Sequence, residues 1–415
     1  MQLVAYGAQD VYLTGNPKVT FFQAVYKRHT NFAMENIQQT VNGSPASSGR
    51  VSVTIARNGD LVGNMYVALA PNTMPNDANL TSNNSGLDVC WIAERAIAAV
   101  ELTIGGQRID KHFQTWWRLY SEVFLGADDK SDYGKMTSAP AALNSSTGTT
   151  AYRVYLPLIF FFNRNPGLYL PLIALQYHEV RLDFDLTTYF NNYFSTSVFE
   201  VWANYVYLDT EERRRFAQKG HEYLIEQVQH TGGDQLSTTG TEGSVQLVRL
   251  SFNHPVKELV WCYTNPNGSA TAQLNAMWNF CTATGNVNVT SNVLSFQATN
   301  NYLAPNLTGV PHLVSTAGAF PSTFGLGSNT FSGNAYWIEQ GTQLLGATAP
   351  GVEVGPLHLF KVILNGQDRF KEQYGKYFNQ VQPYYHHTGN PYAGIYVYSF
   401  ALQPEEHQPT GTCNF

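Results

Sequence analysis

Three landmarks occur twice in this 415-residue chain, in the same order, and that recurrence constrains the fold more than any other feature. Glu35-Asn36-Ile37-Gln38-Gln39-Thr40 returns as Glu226-Gln227-Val228-Gln229-His230-Thr231. Each is followed by a strand-like run, a polar turn and another such run, the turns being Arg57-Asn58-Gly59-Asp60 and Asn253-His254-Pro255. ELTIGGQRIDKHFQTWWRLY, from Glu101, returns as KVILNGQDRFKEQYGKYFNQ, from Lys361, with Gly-Gln turns at Gly106-Gln107 and Gly366-Gln367. Ile173-Ala174-Leu175-Gln176 returns as Phe400-Ala401-Leu402-Gln403, each after an Asn-Pro turn, Asn165-Pro166 and Asn390-Pro391. One match carries little, but ordered recurrence of all three reads as tandem duplication of one structural unit.

A chain of this length exceeds the usual reach of a single core, so two units are expected on size as well. The junction falls in LDTEERRRFAQKGHEY, residues 208–223, where a strand-like run ends in charge. The expected units are residues 1–210, opening with an arm over 1–30, and residues 220–415. Glu35 and Gly106 lie 71 residues apart, whereas Glu226 and Gly366 lie 140 apart, so the second unit carries a long insertion over 264–352. That insertion holds no Lys, Arg or Asp and one Glu, Glu339, yet it contains Trp278, Phe280, Tyr302, Phe320, Phe324, Phe331, Tyr336 and Trp337. Disordered linkers are poor in aromatics, so it is expected to fold back on itself and to be hydrated by neutral polar groups.

The class within each unit is all-β. Charged and aromatic residues each make up 13% of the chain beside 34 Gly and 19 Pro, the profile of many short strands joined by turns. Strand-like runs begin at Val51, Val100, Val154, Val180, Val198, Val245, Leu359 and Gly394, and VRLDFDL and FEVWANYVYL alternate with period two as half-buried antiparallel strands do. Two short helices are expected, FFQAVYKRHT near 21 and HFQTWWRLYSEVFLG near 112.

Several blocks carry a resemblance. VAYGAQDVYLTGNPKVTFFQAVYKRHTNFAMENIQQTVNG resembles the opening of major capsid proteins from nucleocytoplasmic large DNA viruses, the algal chloroviruses above all. The likeness continues through RNGDL at 57, IGGQRIDKH at 104, LPLIFFFN at 156, PGLYLPLIALQYHEVRL at 166, LDTEERRRFAQ at 208, HEYLIEQ at 221, LNGQDRF at 364 and QPTGTCNF at 408, and it thins over 264–352. It implies that each unit is an eight-stranded antiparallel jelly roll, together a double jelly roll. It implies a homotrimeric, pseudo-hexagonal capsomer that tiles an icosahedral virion shell, meeting neighbouring capsomers, minor capsid proteins on the inner face and, without spanning it, an internal membrane. It further implies glycans on asparagines that need not obey the cellular Asn-x-Ser/Thr rule. Of the acceptor tripeptides at Asn42, Asn79, Asn83, Asn144, Asn267, Asn288 and Asn306, the last three lie in the insertion and mark it as the glycan-bearing region.

Enzyme chemistry finds little support. Glu179, Asp183 and Asp185 in HEVRLDFDL share one strand face, as a glycosidase pair would, but Arg181 sits among them and polar-out alternation explains the pattern without catalysis. The 11 His include no HxH or HExxH, and the adjacent pair His386-His387 reads as a solvated loop. GGQRID and NGQDRF lack phosphate-loop spacing, and no cofactor is implied. Lys27-Arg28-His29 and Arg213-Arg214-Arg215 are the basic clusters; the latter adjoins Glu211 and Glu212, and with a net charge of −6 direct nucleic-acid binding is not expected. Cys90, Cys262, Cys281 and Cys413 are scattered and read as reduced thiols. The first ten residues lack the pattern of a signal peptide, and no stretch reaches the ~20 apolar residues of a membrane helix, so synthesis in the host cytosol is expected. A carbohydrate-binding β-sandwich using the insertion's aromatics is the alternative reading.

The repeat also acts as a ruler. After Gln176 the first unit runs on through VRLDFDL and VFEVWANYVYLD, whereas after Gln403 only twelve residues remain, PEEHQPTGTCNF. The second roll therefore reads as incomplete. The native polypeptide is expected to continue past Phe415 by roughly 40 to 70 residues, or a neighbouring chain to donate the missing strands.

Overall fold

A computed structural model describes residue 7 and residues 11–72, 91–137, 153–232, 247–262 and 357–414, apart from positions 19, 358, 365, 390, 392 and 393. The first half holds β1 (Phe32–Gln39), β2 (Val41–Asn42), β3 (Arg50–Thr54), β4 (Leu61–Pro71), β5 (Ile97–Ile104), β6 (Gln107–Phe113), β7 (Val154–Pro157), β8 (Leu170–Pro171), β9 (Val180–Leu186) and β10 (Phe194–Leu208). These form two antiparallel sheets, ordered β1-β10-β4-β7 with β8 also on β4, and β2-β3-β9-β5-β6. Each sheet places strands from the two ends of the unit side by side, the arrangement of a jelly roll.

Alternation decides which side chains meet between the sheets. On β9, Val180, Leu182, Phe184 and Leu186 are buried while Arg181 is exposed. Val51 and Val53 of β3 and Phe199, Val201, Ala203 and Tyr205 of β10 turn inward likewise, and all join one core with Trp117, Phe160 and Phe162. The helix Gln114–Val123 packs against β5 and β6, where the sequence places it.

The second half holds β11 (Glu258–Cys262), β12 (Leu359–Phe360), β13 (Ile363–Leu364), β14 (Gln367–Asp368), β15 (Gln373–Tyr374) and β16 (Ile395–Ser399). Two of the three repeated landmarks occupy matching places, while Glu226–Thr231 forms no strand where Glu35–Gln39 lies in β1. The Gly-Gln turn joins β5 to β6 with Ile104 opposite Gln107, and joins β13 to β14 with Leu364 opposite Gln367. Gly106 and Gly366 take positive φ, 83° and 75°, which that turn requires. β4 pairs antiparallel with β8 as β11 does with β16.

Three expectations change, and one charged segment proves helical. FFQAVYKRHT is not helical: its described residues lie in a turn and extended chain, with Phe21, Phe22, Val25 and Tyr26 exposed, so no apolar face is buried to hold a helix. The described part of VQLVRLSF, from Leu247, pairs with no strand. VYLPLIFFF is a strand only to Pro157, then turns into a short helix, Phe161–Arg164. The charged run after β10 is a helix, Thr210–Gln218, capped by Asp209. The insertion 264–352 lies outside the described residues.

Phe184 is fully buried between the two sheets and packs edge-on against Phe199 at 5.6 Å. Phe184→Ala should therefore lower the stability of the first half by about 3–5 kcal/mol, read as an earlier urea transition in hydrogen exchange of β9 and β10.

Candidate functional site

The carboxylates on β9 are occupied by structural partners. Ser52 Oγ donates to Asp183 Oδ1 at 2.7 Å, Arg181 Nε and Nη2 donate to Asp183 Oδ2 at 3.0 and 2.8 Å, and Arg50 lies 3.4 Å from the same oxygen. Burial pushes the Asp183 carboxyl up, but the Ser52 and Arg181 hydrogen bonds and the two guanidinium charges outweigh it and hold the group below its ordinary value. Asp185 pairs loosely with Arg50, and Glu179 accepts from Thr54. All three carboxylates are thus engaged by neighbouring side chains of the sheet.

The basic clusters behave as surface charge. Arg213 reaches Asp60 at 3.0 Å and Arg214 reaches Glu211 at 3.5 Å, while Lys27, Arg28 and His29 lie on the exposed arm. Cys262 and Cys413 are free thiols, and burial pushes Cys262 up to about 12. Among the described residues no group of three or more His, Cys, Asp and Glu is placed to hold a metal ion. Asn42 sits exposed on β2; Asn267, Asn288 and Asn306 lie outside the described residues, as do Asn79, Asn83, Asn144, Cys90 and Cys281.

Two buried charge clusters escaped the sequence reading. One lies under the helix Gln114–Val123, where Arg118, 1% exposed, stacks 3.9 Å over Trp91 and pairs with Glu122 at 3.0 Å and Glu94 at 3.7 Å. Tyr133 donates to Glu94 at 2.6 Å and Lys130 reaches Glu122 at 2.9 Å. Burial pushes Glu94 up to about 7 against the opposing charge of Arg118. The other centres on His387, which is not in a solvated loop: its side chain is 0% exposed, 3.0 Å from Glu258 and 3.3 Å from Glu405. The Glu258 contact is an ion pair lying off the hydrogen-bonding direction. Burial pulls the imidazole down, but the two carboxylates outweigh it and raise it to about 9. The only hint in the sequence was the Arg118, Glu122 spacing on a helix; the partners of His387 come from distant segments.

Structural charge and no catalytic constellation among the described residues leave kinship to decide. The chain is 42% identical over 424 residues to the major capsid protein of Paramecium bursaria Chlorella virus 1, an alignment spanning 100% of this chain and 84% of that one. It belongs to the large eukaryotic DNA virus major capsid proteins. That family matches residues 212–415, and the major capsid protein N-terminus family matches residues 20–209. The major capsid protein of Phaeocystis pouchetii virus is 37% identical, with 100% of this chain and 90% of that one aligned. A solved structure of the PBCV-1 virus capsid superposes with a TM-score of 0.68 at 38% identity, covering 95% of this chain and 84% of that chain. The fold is thus the double jelly roll, and the capsid protein is a structural component of an icosahedral virion shell. Its family is not enzymatic, so the glycosidase reading falls, and the carbohydrate-binding alternative has no support.

Asp183→Asn should cost about 1–3 kcal/mol at pH 7 by weakening charge-assisted hydrogen bonds. A carboxylate held below its ordinary 3.8 stabilises the fold above that pH and loses its contribution as pH falls through the lower folded value. Thermal midpoints of the parent and substituted proteins, well separated at neutral pH, should converge in strong acid.

Proposed function

We propose that three copies of this chain form one capsomer, with the two units meeting between residues 210 and 220, and that capsomers tile the facets of the shell. The tandem arrangement supports this reading: two like barrels per chain give six per trimer, a nearly hexagonal outline suited to close packing on a facet. The bare apolar surface points the same way. Tyr12, Phe21, Phe22, Val25 and Tyr26 on the arm are between 83% and 99% exposed, and Phe32 and Met34 on β1 are half exposed. An isolated soluble chain rarely displays so many large apolar side chains over one stretch without a partner to cover them.

In this reading neighbouring capsomers and minor capsid proteins on the inner face supply further contacts, and the internal membrane lies close without being crossed. No helix among the described residues is long and apolar enough to cross a membrane. The insertion 264–352 projects outward as part of the capsomer's crown, because a long uncharged Asn- and Thr-rich loop is costly to bury, and it carries N-linked glycans with Asn267, Asn288 and Asn306 as candidate acceptors. The chain is made in the host cytoplasm and contacts no nucleic acid.

Light scattering on the purified protein should give three times the 46.2 kDa chain mass, glycans aside. The trimer should bury well above ~2,000 Å² in all, as obligate interfaces do; a monodisperse monomer at micromolar concentration would refute it. On intact particles, protease or antibody access should fall first on 264–352. Glycopeptide mass spectrometry locates the modified asparagines independently of that result.

A further inference from the structure

The two halves of the chain touch through the segment that follows the short helix Gln382–His386. Gly389 N–H donates to the Val123 carbonyl at 3.1 Å, and Thr388 Oγ1 donates to the Phe124 carbonyl at 3.1 Å. These carbonyls close the helix Gln114–Val123 and have no acceptor role inside it, so the second half caps a helix of the first. The fit requires glycine: a Cβ on Gly389 would lie 2.2 Å from the Val123 oxygen and 2.6 Å from that of Glu122. His387 completes the contact, its ring meeting Phe124 edge-on at 5.3 Å.

We propose that His387–Gly389 is a proton-dependent latch between the two barrels. With His387 charged, the segment caps the first half's helix and holds the halves at one angle; with His387 neutral, it releases them. The charged ring neutralises Glu258 on β11 and Glu405 in the turn after β16, and it faces the negative end of the helix dipole. Losing the proton leaves these two carboxylates of the second half facing each other around the capping segment with no cation between them, which drives His387–Gly389 out of its place against the first half. Glu405 also accepts from the Thr388 amide at 2.8 Å, so its displacement pulls on the capping residue directly. The other charges around the junction are already paired: Arg164 holds Glu226 at 2.8 Å, Glu226 also binds Lys257, and Tyr120 lies beside Arg164 and Glu405.

The sign follows from the raised value. The imidazole titrates near 9 when latched and near its ordinary 6.5 when free, so the latch holds fully below pH 6.5 and weakens as pH rises through about 9. One proton is released per opening, which makes the open fraction rise up to about tenfold per pH unit across that window.

Hydrogen exchange on the full chain, corrected for the intrinsic pH dependence of amide exchange, tests this. Peptides covering 119–125 and 386–391 should lose protection across the window while those covering 97–104 and 180–186 stay protected. His387→Asn should show the open level at every pH, without the pH dependence. Gly389→Ala should expose the same two peptides at every pH with the core intact. Constant protection of 119–125 from pH 6.5 to 10 in the unsubstituted protein overturns the latch. So does wild-type pH dependence in His387→Asn, or full protection of 119–125 in Gly389→Ala. If a substitution unfolds the core, the pH series on the unsubstituted chain decides alone.

Discussion

The first barrel depends on β10 finding β1. Phe32 pairs with Leu208 and Gln39 with Val201, so the strand made last in the unit closes against the one made first. β10 pairs with β4 along its other edge, and without it both would be left as open edges. Such a long-range pairing must bear the entropy of closing a long loop before any contact rewards it. The local chemistry at the end of β10 is arranged to secure it. The ladder shifts register between Ala203 and Tyr205, and the Tyr205 hydroxyl lies 2.6 Å from the Ala56 carbonyl and 2.9 Å from the Gln39 side chain. Gly59 is obligatory beside it, since a Cβ there would come within 2.9 Å of the Tyr205 Cβ. Asp60 then accepts from the Leu208 amide and from Arg213, tying the close of the barrel to the helix that leads into the second half.

That arrangement explains why the Arg57-Asn58-Gly59-Asp60 turn was a useful landmark. Its residues answer to contacts with β10 and to turn geometry together. The Gly-Gln hairpin was legible for a similar reason: positive φ at Gly106 and Gly366 admits few other residues. Period-two alternation marked β9 and β10 because each has one face in the core and one toward solvent.

The failures have physical causes as well. FFQAVYKRHT shows helical spacing of apolar residues, but spacing makes a helix only when a surface exists to bury the stripe, and among the described residues none covers it. The Glu226–Thr231 landmark matches β1 in sequence yet forms no ladder among the described residues, none of which forms a strand beside it that answers to β10. It lies instead along the first half, where Gln227 donates to the Ile109 carbonyl and the Val228 amide to Asp110. His387 looked solvated because tyrosines and a turn flank it. Its burial comes from Phe124, Glu258 and Glu405, which no local window contains.

Charge is scarce in this chain, and its placement separates two uses of buried ions. Arg118, Glu94, Glu122 and Lys130 lie under one helix of the first barrel, with Tyr133 and Trp91 around them. An apolar cluster of the same volume would stabilise as well or better, since desolvation costs each ion about as much as pairing returns. What such a cluster adds is direction: a misplaced helix leaves a buried charge unpaired, a penalty that apolar packing does not impose. The junction between the halves applies the same rule beside the apolar contact of Tyr223 and Ile225 with the first core. Arg164 meets Glu226 only when the two barrels sit in register, while Lys257, Glu258 and Glu405 hold Glu226 and His387 in place on the second half's side of the contact. A protein that must present two barrels in fixed relation to its neighbours needs that angle more than it needs extra stability, and ion pairs specify angles where apolar contacts slide.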